Sequence, residues 1–411
     1  MIDQPKSFVL FVPDGAADLD RTGGSSPLAS AHMPNADFLA HEGWMGLMQT
    51  LYPDLPRESM VAQLGMLGWD PHCFYPHGRS SCELLALERT HLAERDLAFR
   101  ANLVRMNGPT LVSYSADFIT SLEAAPLVDK VDTMLRGEFP NFEIYHNDDF
   151  RNTLVVREAG IDPRRLTCPE PHESHGVDFS LAELVVGSDD ASRTLAERVN
   201  QYLVRAAELL EGEPANALFP WSASRAFTLP LFAQLTGFPG RAAVVGSMDF
   251  LKGIALAGGI DFVRVGNGRP DTDYRAKGEK VVELLEEGYG FVVCHVNAPD
   301  EASHMGDRQM KIDCLEAFDR HVLGPALAWF QTHPESLGGV LLAPDHYTNH
   351  LLGKGRADAH SLHPVPFCLW NGIDRDKAQA FNEDEAAAAW GSRDPVSHLD
   401  LLRILGVSRS D

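Results

Sequence analysis

Four short, continuous apolar runs constrain the fold of this 411-residue chain more than any other feature. They cover residues 8–12, 242–245, 291–296 and 340–342, and each leads into polar residues at its C-terminal end. A short uninterrupted apolar run is typical of a strand buried on both faces, and such strands occur mainly in parallel sheets covered by helices. The pattern therefore predicts a parallel sheet at the centre of the molecule.

Stretches with helical periodicity, 275–287 and 311–330, separate the later runs. This alternation of strands and helices indicates an α/β fold with a doubly wound, mainly parallel sheet. Ligands of such sheets bind outside the carboxyl ends of the strands. The polar residues that follow the apolar runs are therefore the first candidates for a functional site.

The pattern of predicted strands and helices changes near residue 107. The elements from there on are strand-like pieces at 110–114, 142–145 and 152–156, a helix at 122–135, a Pro- and His-rich loop at 168–175, and a long amphipathic helix at 191–210. The region interrupts the strand and helix alternation described above. The sequence therefore predicts a smaller inserted α/β domain over 107–179, within a larger discontinuous domain formed by 1–106 and 180–411.

The chain is strongly acidic, with 58 Asp and Glu against 35 Lys and Arg and a formal net charge of −23 at pH 7. This charge disfavours nucleic acid or an anionic membrane surface as a partner. The six cysteines form no C-x-x-C pair, which favours reduced thiols, and the apolar run at 8–12 is too short for a signal or membrane-spanning segment. We therefore expect a cytoplasmic protein, and the sequence leaves a homo-oligomer open.

Carboxylates and imidazoles follow the predicted strands. They are Asp14, Asp300, His304, Asp345, His346 and His360. Asp300 and His304 are four residues apart, which places both on one face of a helix, and aspartate with imidazole suits Zn²⁺, Mn²⁺ or similar ions. Any one such pair, taken alone, is more typical of a helix-start acid and a solvated histidine than of a metal site. Because parallel strands end at one edge of a sheet, the whole set predicts a pair of ions, an arrangement suited to phosphoryl transfer.

Ser59 stands at a predicted loop-to-helix junction, in the sequence Arg57-Glu58-Ser59. Local sequence alone favours a helix N-cap at this position. A nucleophile is compatible with the same place, because the N-terminus of a helix attracts the phosphate that such a serine would carry. Both interpretations are therefore kept for Ser59.

The chain resembles the archaeal-type cofactor-independent phosphoglycerate mutases, members of the alkaline phosphatase superfamily. The matching motifs lie, in order, at 11–18 (FVPDGAAD), 22–24, 27–28, 33–35, 65–71 (GMLGWDP), 99–102, 114–116, 249–254 (DFLKGI), 271–274, 295–302 (HVNAPDEA), 344–346 (PDH) and 364–366 (PVP). The resemblance runs almost from end to end of the chain. It implies an alkaline phosphatase-like sheet with the inserted domain as a lid.

The resemblance also implies two divalent metal ions, of Mn, Zn, Co or Mg, and no 2,3-bisphosphoglycerate. One ion would be held by Asp14, Ser59, Asp345 and His346, and the other by Asp300, His304 and His360. Ser59 would accept the phosphoryl group of a small phosphorylated acid and return it to the other hydroxyl. Register with 364–366 favours His360 over His363 as the ligand.

Five further residues match substrate-contacting or neighbouring positions of the family. Lys252 would reach the phosphoryl group, and Arg151 would hold the substrate. Arg225 is a candidate replacement for a family arginine, and Arg100 and Asn102 have no assigned role. An arginine fork suits carboxylate or phosphate, but a lone arginine is also typical of a surface ion pair. The inserted domain would exclude water from the phosphoserine.

Departures from the family pattern surround the substrate, at 58–63, 78–84 and 219–225, and Met60 replaces an acidic residue beside Ser59. The leading hypothesis is interconversion of 3-phosphoglycerate and 2-phosphoglycerate. An alternative is a phosphatase or a homoserine-kinase-like phosphotransferase acting on another small hydroxy acid. A third is a metal-retaining binding protein, which the retained nucleophile and Lys252 disfavour.

Overall fold

The computed structural model describes residues 6–352, 359–373, 375 and 378–408. The chain forms two compact units, a large unit of Met1–Tyr75 and Leu229–Asp411 and an inserted unit of Pro76–Thr228. Among the described residues, no helix combines the length and the apolar character that crossing a membrane requires.

The strands, in chain order, are β1 (Ser7–Pro13), β2 (Trp44–Gln49), β3 (Leu97–Asn107), β4 (Thr110–Ser113), β5 (Phe142–Asp148), β6 (Arg151–Val156), β7 (Leu166–Thr167), β8 (Val186–Gly187), β9 (Ala217–Arg225), β10 (Ala242–Gly246), β11 (Asp261–Arg264), β12 (Phe291–Val296), β13 (Leu337–Leu342), β14 (Tyr347–Thr348), β15 (His360–Ser361), β16 (Val365–Trp370) and β17 (Val396–Ser397).

The α-helices are α1 (Pro27–Ser30), α2 (Pro34–Glu42), α3 (Ser59–Met66), α4 (Pro71–Phe74), α5 (Ser80–Ala86), α6 (Ser121–Leu135), α7 (Asp190–Leu209), α8 (Phe232–Thr236), α9 (Asp249–Gly258), α10 (Tyr274–Glu286), α11 (Ala298–His304), α12 (Arg308–Phe318), α13 (Gly324–Thr332), α14 (Glu383–Trp390) and α15 (Leu401–Leu405). A π-helical turn, Asp319–Leu323, joins α12 to α13.

The central sheet of the large unit has the strand order β11-β10-β12-β1-β13-β16-β2-β17. The strands from β11 to β13 are all parallel, whereas β16 runs antiparallel to both of its neighbours. The four apolar runs of the sequence are β10, β12, β1 and β13, which are adjacent in the sheet. The predicted doubly wound, mainly parallel sheet is confirmed.

Both faces of this sheet are buried, which explains the continuous apolar runs. Leu10 and Phe11 point to opposite faces of β1, and neither is exposed to solvent. Phe11 packs edge-to-face on Phe318 of α12, with ring centroids 6.2 Å apart. Burying an aromatic side chain of this kind contributes about 1.5–3 kcal/mol. Helices begin on caps that the sequence provides, such as Asp273, which accepts a hydrogen bond from Ala276 N at the start of α10.

The inserted unit is built on an antiparallel sheet in the order β4-β3-β6-β5, with β9 also pairing with β3. This unit is wider than the expected 107–179. β3 begins before that range and β9 follows it, and the two strands pair with each other along most of their lengths. Their pairing therefore extends the unit on both sides of the expected range. The core of the unit includes side chains of α6 and α7, such as Val128 and Tyr202. Strands that pair across a long sequence separation carry no local signal of their pairing.

Candidate active site

The carboxyl ends of three adjacent strands bring together carboxylates and imidazoles in the large unit. Asp14 follows β1, Asp300 lies in α11 after β12, and Asp345 with His346 follows β13. The backbone continues the sheet hydrogen bonding at this edge, since Asp14 N donates to Val296 O at 3.0 Å. The side chains therefore meet at the place where an open parallel sheet binds its ligands.

The first cluster is fully enclosed. Asp14, Asp345 and His346 each offer one ligand atom, and these atoms lie within 4.8 Å of one another. His346 Nε2 is 3.3 Å from Asp14 Oδ1 and 3.6 Å from Asp345 Oδ2, and none of the three side chains is exposed. Ser59 Oγ lies 3.1 Å from the same His346 Nε2. We call these four residues the closed group.

The second cluster is partly open to solvent. Asp300 Oδ2 lies 3.4 Å from His304 Nε2, and Asp300 Oδ1 lies 3.4 Å from His360 Nε2. The two imidazole Nε2 atoms are 3.1 Å apart. The exposed fractions of these side chains are 10% for Asp300, 25% for His304 and 14% for His360. We call these three residues the open group.

The closed and open groups adjoin through stacked imidazoles. The rings of His346 and His360 have centroids 3.9 Å apart and an interplanar angle of 25°. His360 pairs with Thr348 between the short strands β14 and β15, which explains its position beside the strand ends. His363, by contrast, is exposed and lies 3.0 Å from Ser361 Oγ through its Nδ1. The structure thus places His360, and not His363, beside Asp300.

The hydrogen bonds of His360 bear on what the open group can bind. His360 Nδ1 lies 2.8 Å from the carbonyl oxygen of Arg57, which can only accept, so Nδ1 carries a hydrogen, and the neutral tautomer with this bond has its lone pair on Nε2. That lone pair faces the Asp300 carboxylate, which also only accepts. A proton or a metal cation between Nε2 and the carboxylate satisfies both atoms. The set of carboxylate and imidazole donors fits a divalent cation such as Zn²⁺ or Mn²⁺.

Electrostatics keep His346 and Asp300 in the protonation states that ligation needs. Burial lowers the pKa of His346 to about 4, so this imidazole is neutral near pH 7. Burial opposes the charge on Asp300, but its contacts with His304 and His360 outweigh burial and hold the pKa of this carboxyl well below its usual range. A neutral imidazole and an ionised carboxylate are both ready to bind a metal.

Ser59 is the first residue of α3, and the N-cap is Glu58, whose side chain makes no capping hydrogen bond. The N-cap interpretation of Ser59 is therefore wrong. Its Oγ contacts His346 Nε2 instead. One turn later on the same helix, Gln63 Nε2 donates to Asp345 Oδ2 at 3.2 Å. The helix thus presents a hydroxyl and an amide to the closed group.

Three site residues escaped the sequence analysis. Gln63 lies four residues after Ser59, a spacing that could have shown it on the same helix face. Thr348 bonds Asp300 and His346 through its hydroxyl, and His295 Nε2 lies 3.2 Å from Asp14 Oδ2 with no exposed surface. No local pattern reveals His295, because its contact depends on the register that pairs it with Val12 across two strands.

Glycine is required at position 15. Its φ is +61°, and a Cβ there would collide with Thr348 Oγ1 and approach Asp300 Oδ1 to 2.7 Å. The backbone of this turn also contributes directly, because Gly15 N donates to Asp345 Oδ1 at 3.0 Å. The Asp14-Gly15 pair therefore supplies a carboxylate and the close approach that lets the two clusters adjoin.

The expected substrate residues lie on different elements. Lys252 is half-buried in the first turn of α9, which follows β10, the neighbour of β12 in the sheet. The other four belong to the inserted unit. Arg151 and Arg225 are exposed, and the Arg151 guanidinium lies 4.4 Å above the ring of Phe150.

Arg100 and Asn102 are engaged within the inserted unit. Arg100 Nε lies 3.0 Å from Glu83 Oε2, and the guanidinium is 4.3 Å from the ring centroid of Trp221. Asn102 accepts a hydrogen bond from Trp221 Nε1 at 3.1 Å and donates to Tyr114 O at 3.1 Å. Both side chains therefore hold Trp221 in place.

A parallel α/β sheet whose carboxyl edge gathers carboxylates, imidazoles and a helix-borne serine is the architecture of an enzyme. The family model for 2,3-bisphosphoglycerate-independent phosphoglycerate mutase matches residues 40–216. The 2,3-bisphosphoglycerate-independent phosphoglycerate mutase of Methanothrix thermoacetophila is 32% identical over an alignment covering 97% of this chain and 99% of that protein. The chain belongs to the 2,3-bisphosphoglycerate-independent phosphoglycerate mutase family and is an isomerase.

Solved structures agree on the fold. A protein from Pyrococcus horikoshii superposes with a TM-score of 0.76 at 23% identity, covering 99% of both chains. The cofactor-independent phosphoglycerate mutase of Thermoplasma acidophilum superposes with a TM-score of 0.60 at 24% identity, covering 98% of this chain and 99% of that one. The resemblance inferred from the motifs is confirmed, and the phosphatase or phosphotransferase alternative is not favoured.

Proposed function

We propose that the protein interconverts 3-phosphoglycerate and 2-phosphoglycerate through a phosphoserine at Ser59. Membership of the mutase family supports the substrate. The observation that carries the role of Ser59 is the 3.1 Å contact between its Oγ and His346 Nε2 inside the closed group. A serine at the first position of α3 also benefits from the helix dipole, which stabilises a phosphoryl group there.

Two divalent cations complete the proposed site. Asp14, Ser59, Asp345 and His346 would hold one, and Asp300, His304 and His360 would hold the other. Cations bound there would lower the pKa of the serine hydroxyl and neutralise part of the charge on the transferred phosphoryl group. The donor set accepts Mn, Zn, Co or Mg.

The proposed reaction consists of two reciprocal transfers. Ser59 Oγ forms a bond to phosphorus as the bond from phosphorus to the 3-oxygen of the substrate breaks. The serine releases one proton and the departing oxygen takes up one, so no proton is gained or lost. The 2-hydroxyl of the retained glycerate then attacks the phosphoserine, and Ser59 regains its proton. Phosphoglycerate leaves with its phosphate moved by one carbon.

The inserted unit is proposed as the lid that keeps water from the phosphoserine, because hydrolysis would turn a mutase into a phosphatase. Exposure makes Arg151 and Arg225 available to a substrate carboxylate or phosphate. Arg100 and Asn102 would act through Trp221, which both contact. Lys252 is proposed to bind the phosphoryl group.

The test is an assay of the purified chain with Mn²⁺ and 3-phosphoglycerate that follows 2-phosphoglycerate and free phosphate together. We expect 2-phosphoglycerate without phosphate release, and a loss of at least about 1,000-fold in kcat for Ser59→Ala. Ser7→Ala is the matched control, since Ser7 lies at the opposite end of β1 and donates only to the backbone oxygen of Tyr289. Phosphate without the isomer, or full activity of Ser59→Ala, would contradict the proposal.

A further inference from the structure

Thr348 lies between the closed and open groups and is not exposed to solvent. Its Oγ1 is 2.7 Å from Asp300 Oδ1 in the open group and 3.0 Å from His346 Nδ1 in the closed group. Thr348 itself belongs to neither group. One buried hydroxyl therefore joins a carboxylate of one group to an imidazole of the other.

The single hydrogen of this hydroxyl settles the direction of both bonds. Thr348 Oγ1 donates its hydrogen to Asp300 Oδ1. The hydroxyl oxygen must then accept from His346 Nδ1, which carries the imidazole hydrogen. His346 Nε2 is left with a lone pair that faces Ser59 Oγ at 3.1 Å. A continuous hydrogen-bonded chain thus runs from Ser59 through His346 and Thr348 to Asp300.

The backbone holds Thr348 rigidly in this place. Its N–H donates to Ala17 O at 3.0 Å, and its carbonyl oxygen accepts from Lys311 Nζ at 2.9 Å. It pairs with His360 in the β14–β15 ladder. Gly15 leaves the space that the hydroxyl occupies, because a Cβ there would collide with Thr348 Oγ1. The hydroxyl cannot turn away without disturbing both groups.

We propose that Thr348 is a positioning residue that couples the two cation groups. Its hydroxyl orients one oxygen of Asp300 and selects the His346 tautomer that presents a lone pair to the closed group. The proposal rests on the proposed function, in which both groups bind divalent cations. Without the hydroxyl, His346 can place its hydrogen on Nε2, where it blocks ligation. Loss of a hydrogen-bond partner behind a metal ligand typically lowers metal affinity about 10- to 100-fold.

The test is calorimetric titration of the metal-free full chain with Mn²⁺, comparing wild type with Thr348→Val and Thr348→Ser. Valine keeps the shape and loses the hydroxyl, whereas serine keeps the hydroxyl. We expect valine to weaken Mn²⁺ binding about 10- to 100-fold and serine to restore most of that loss. Thr236→Val is the matched control, because this buried threonine of α8 donates to Phe232 O within its own helix. Unchanged binding in Thr348→Val, or equal loss with serine, overturns the proposal.

The same comparison in two variant proteins assigns the loss of Mn²⁺ affinity to the closed group, the open group or both. Asp14→Asn leaves the open group intact, and His304→Ala leaves the closed group intact. We expect Thr348→Val to weaken Mn²⁺ binding in both backgrounds, and weakening in only one overturns the coupling. Thr348→Ala replaces valine if the valine variant departs from the wild-type circular dichroism spectrum. A wild-type chain that binds no Mn²⁺ overturns the proposed function instead, so the two failures are distinguishable.

Discussion

The closed and open groups use the same chemistry in opposite environments. Asp14, Asp345 and His346 have no exposed surface, whereas His304 of the open group keeps a quarter of its side chain exposed. Three residues of the closed group follow the central strands β1 and β13, and the fourth, Ser59, begins α3. The open ligands lie on the short helix α11 and the two-residue strand β15. A group held by the sheet is therefore preorganised, and a group on its outer elements is accessible to a ligand.

The pKa values of the imidazoles also differ between the closed and open groups. Burial lowers the pKa of His346 to about 4 in the closed group. Burial also opposes the charge on His304, but the hydrogen bond and the attraction of Asp300 outweigh it and raise the pKa of His304. Both histidines have carboxylate neighbours, and their pKa values shift in opposite directions because His346 is fully buried whereas His304 keeps part of its side chain exposed.

The largest effect is expected from Asp345→Asn in the closed group. Gly15 N and Gln63 Nε2 donate to its two carboxylate oxygens, so an amide nitrogen there must face a donor. We expect one of two equivalents of Mn²⁺ to be lost after gel filtration, measured by elemental analysis. Asp273→Asn, which preserves a helix N-cap, should retain both equivalents, and two equivalents in Asp345→Asn would refute the ligand assignment.

The next effect concerns the buried ion pair beneath the turn that follows Asp14. Lys311 Nζ lies 2.9 Å from Asp18 Oδ2, and neither side chain is exposed. Lys311→Met leaves Asp18 as a buried charge without its cation, and we expect the free energy of unfolding to fall by about 3–5 kcal/mol. Urea denaturation of the metal-free chain measures it. Lys280→Met, which removes a surface pair with Glu283, should change stability by less than about 1 kcal/mol.

A pH effect is expected from the buried histidine under α3, the helix that carries Ser59. His398 packs against Gly65, and burial lowers its pKa to about 4. An unfolded histidine has a pKa near 6.5, so between about pH 6.5 and 4 the unfolded chain binds a proton that the folded chain does not. Stability is therefore full above pH 6.5 and falls as the pH drops, by up to about 3 kcal/mol at pH 4.

His398→Leu should remove that part of the pH dependence. Chemical denaturation of the metal-free variant at pH 7 and pH 4.5 gives the difference, which should be smaller than in wild type. His41→Leu is the control, because His41 is an exposed residue of α2. Parallel stability curves for wild type and His398→Leu would contradict the expected contribution.

The smallest effect is expected in the open group. His304 is partly exposed, so water can take the place of its imidazole at a bound cation. We expect His304→Ala to weaken one Mn²⁺ equivalent about 10-fold in calorimetry and to leave the other unchanged. A loss as complete as that of Asp345→Asn would show that exposure does not distinguish the two groups.

Much of the fold and of the site could be predicted from local patterns. The apolar runs form the adjacent strands β10, β12, β1 and β13. They could be predicted because a strand that is buried on both faces is apolar at nearly every position. The carboxylates predicted as ligands, Asp14, Asp300 and Asp345, lie where those strands end. The bounds of the inserted unit could not be predicted in this way, because the pairing of β3 with β9 joins segments more than 100 residues apart in the chain.

The amino-acid sequence by itself determined the family, the parallel sheet and the residue types that line its edge. Tertiary structure alone decided how those residues are oriented. The Thr348 hydroxyl selects the tautomer of His346, and strand register brings His295 against Asp14. The first contact depends on which tautomer the surrounding hydrogen bonds select, and the second joins residues that are far apart in the chain. The direction of the hydrogen bonds, the burial and the protonation of these side chains depend on contacts between distant segments. Those contacts form only when the sheet has folded.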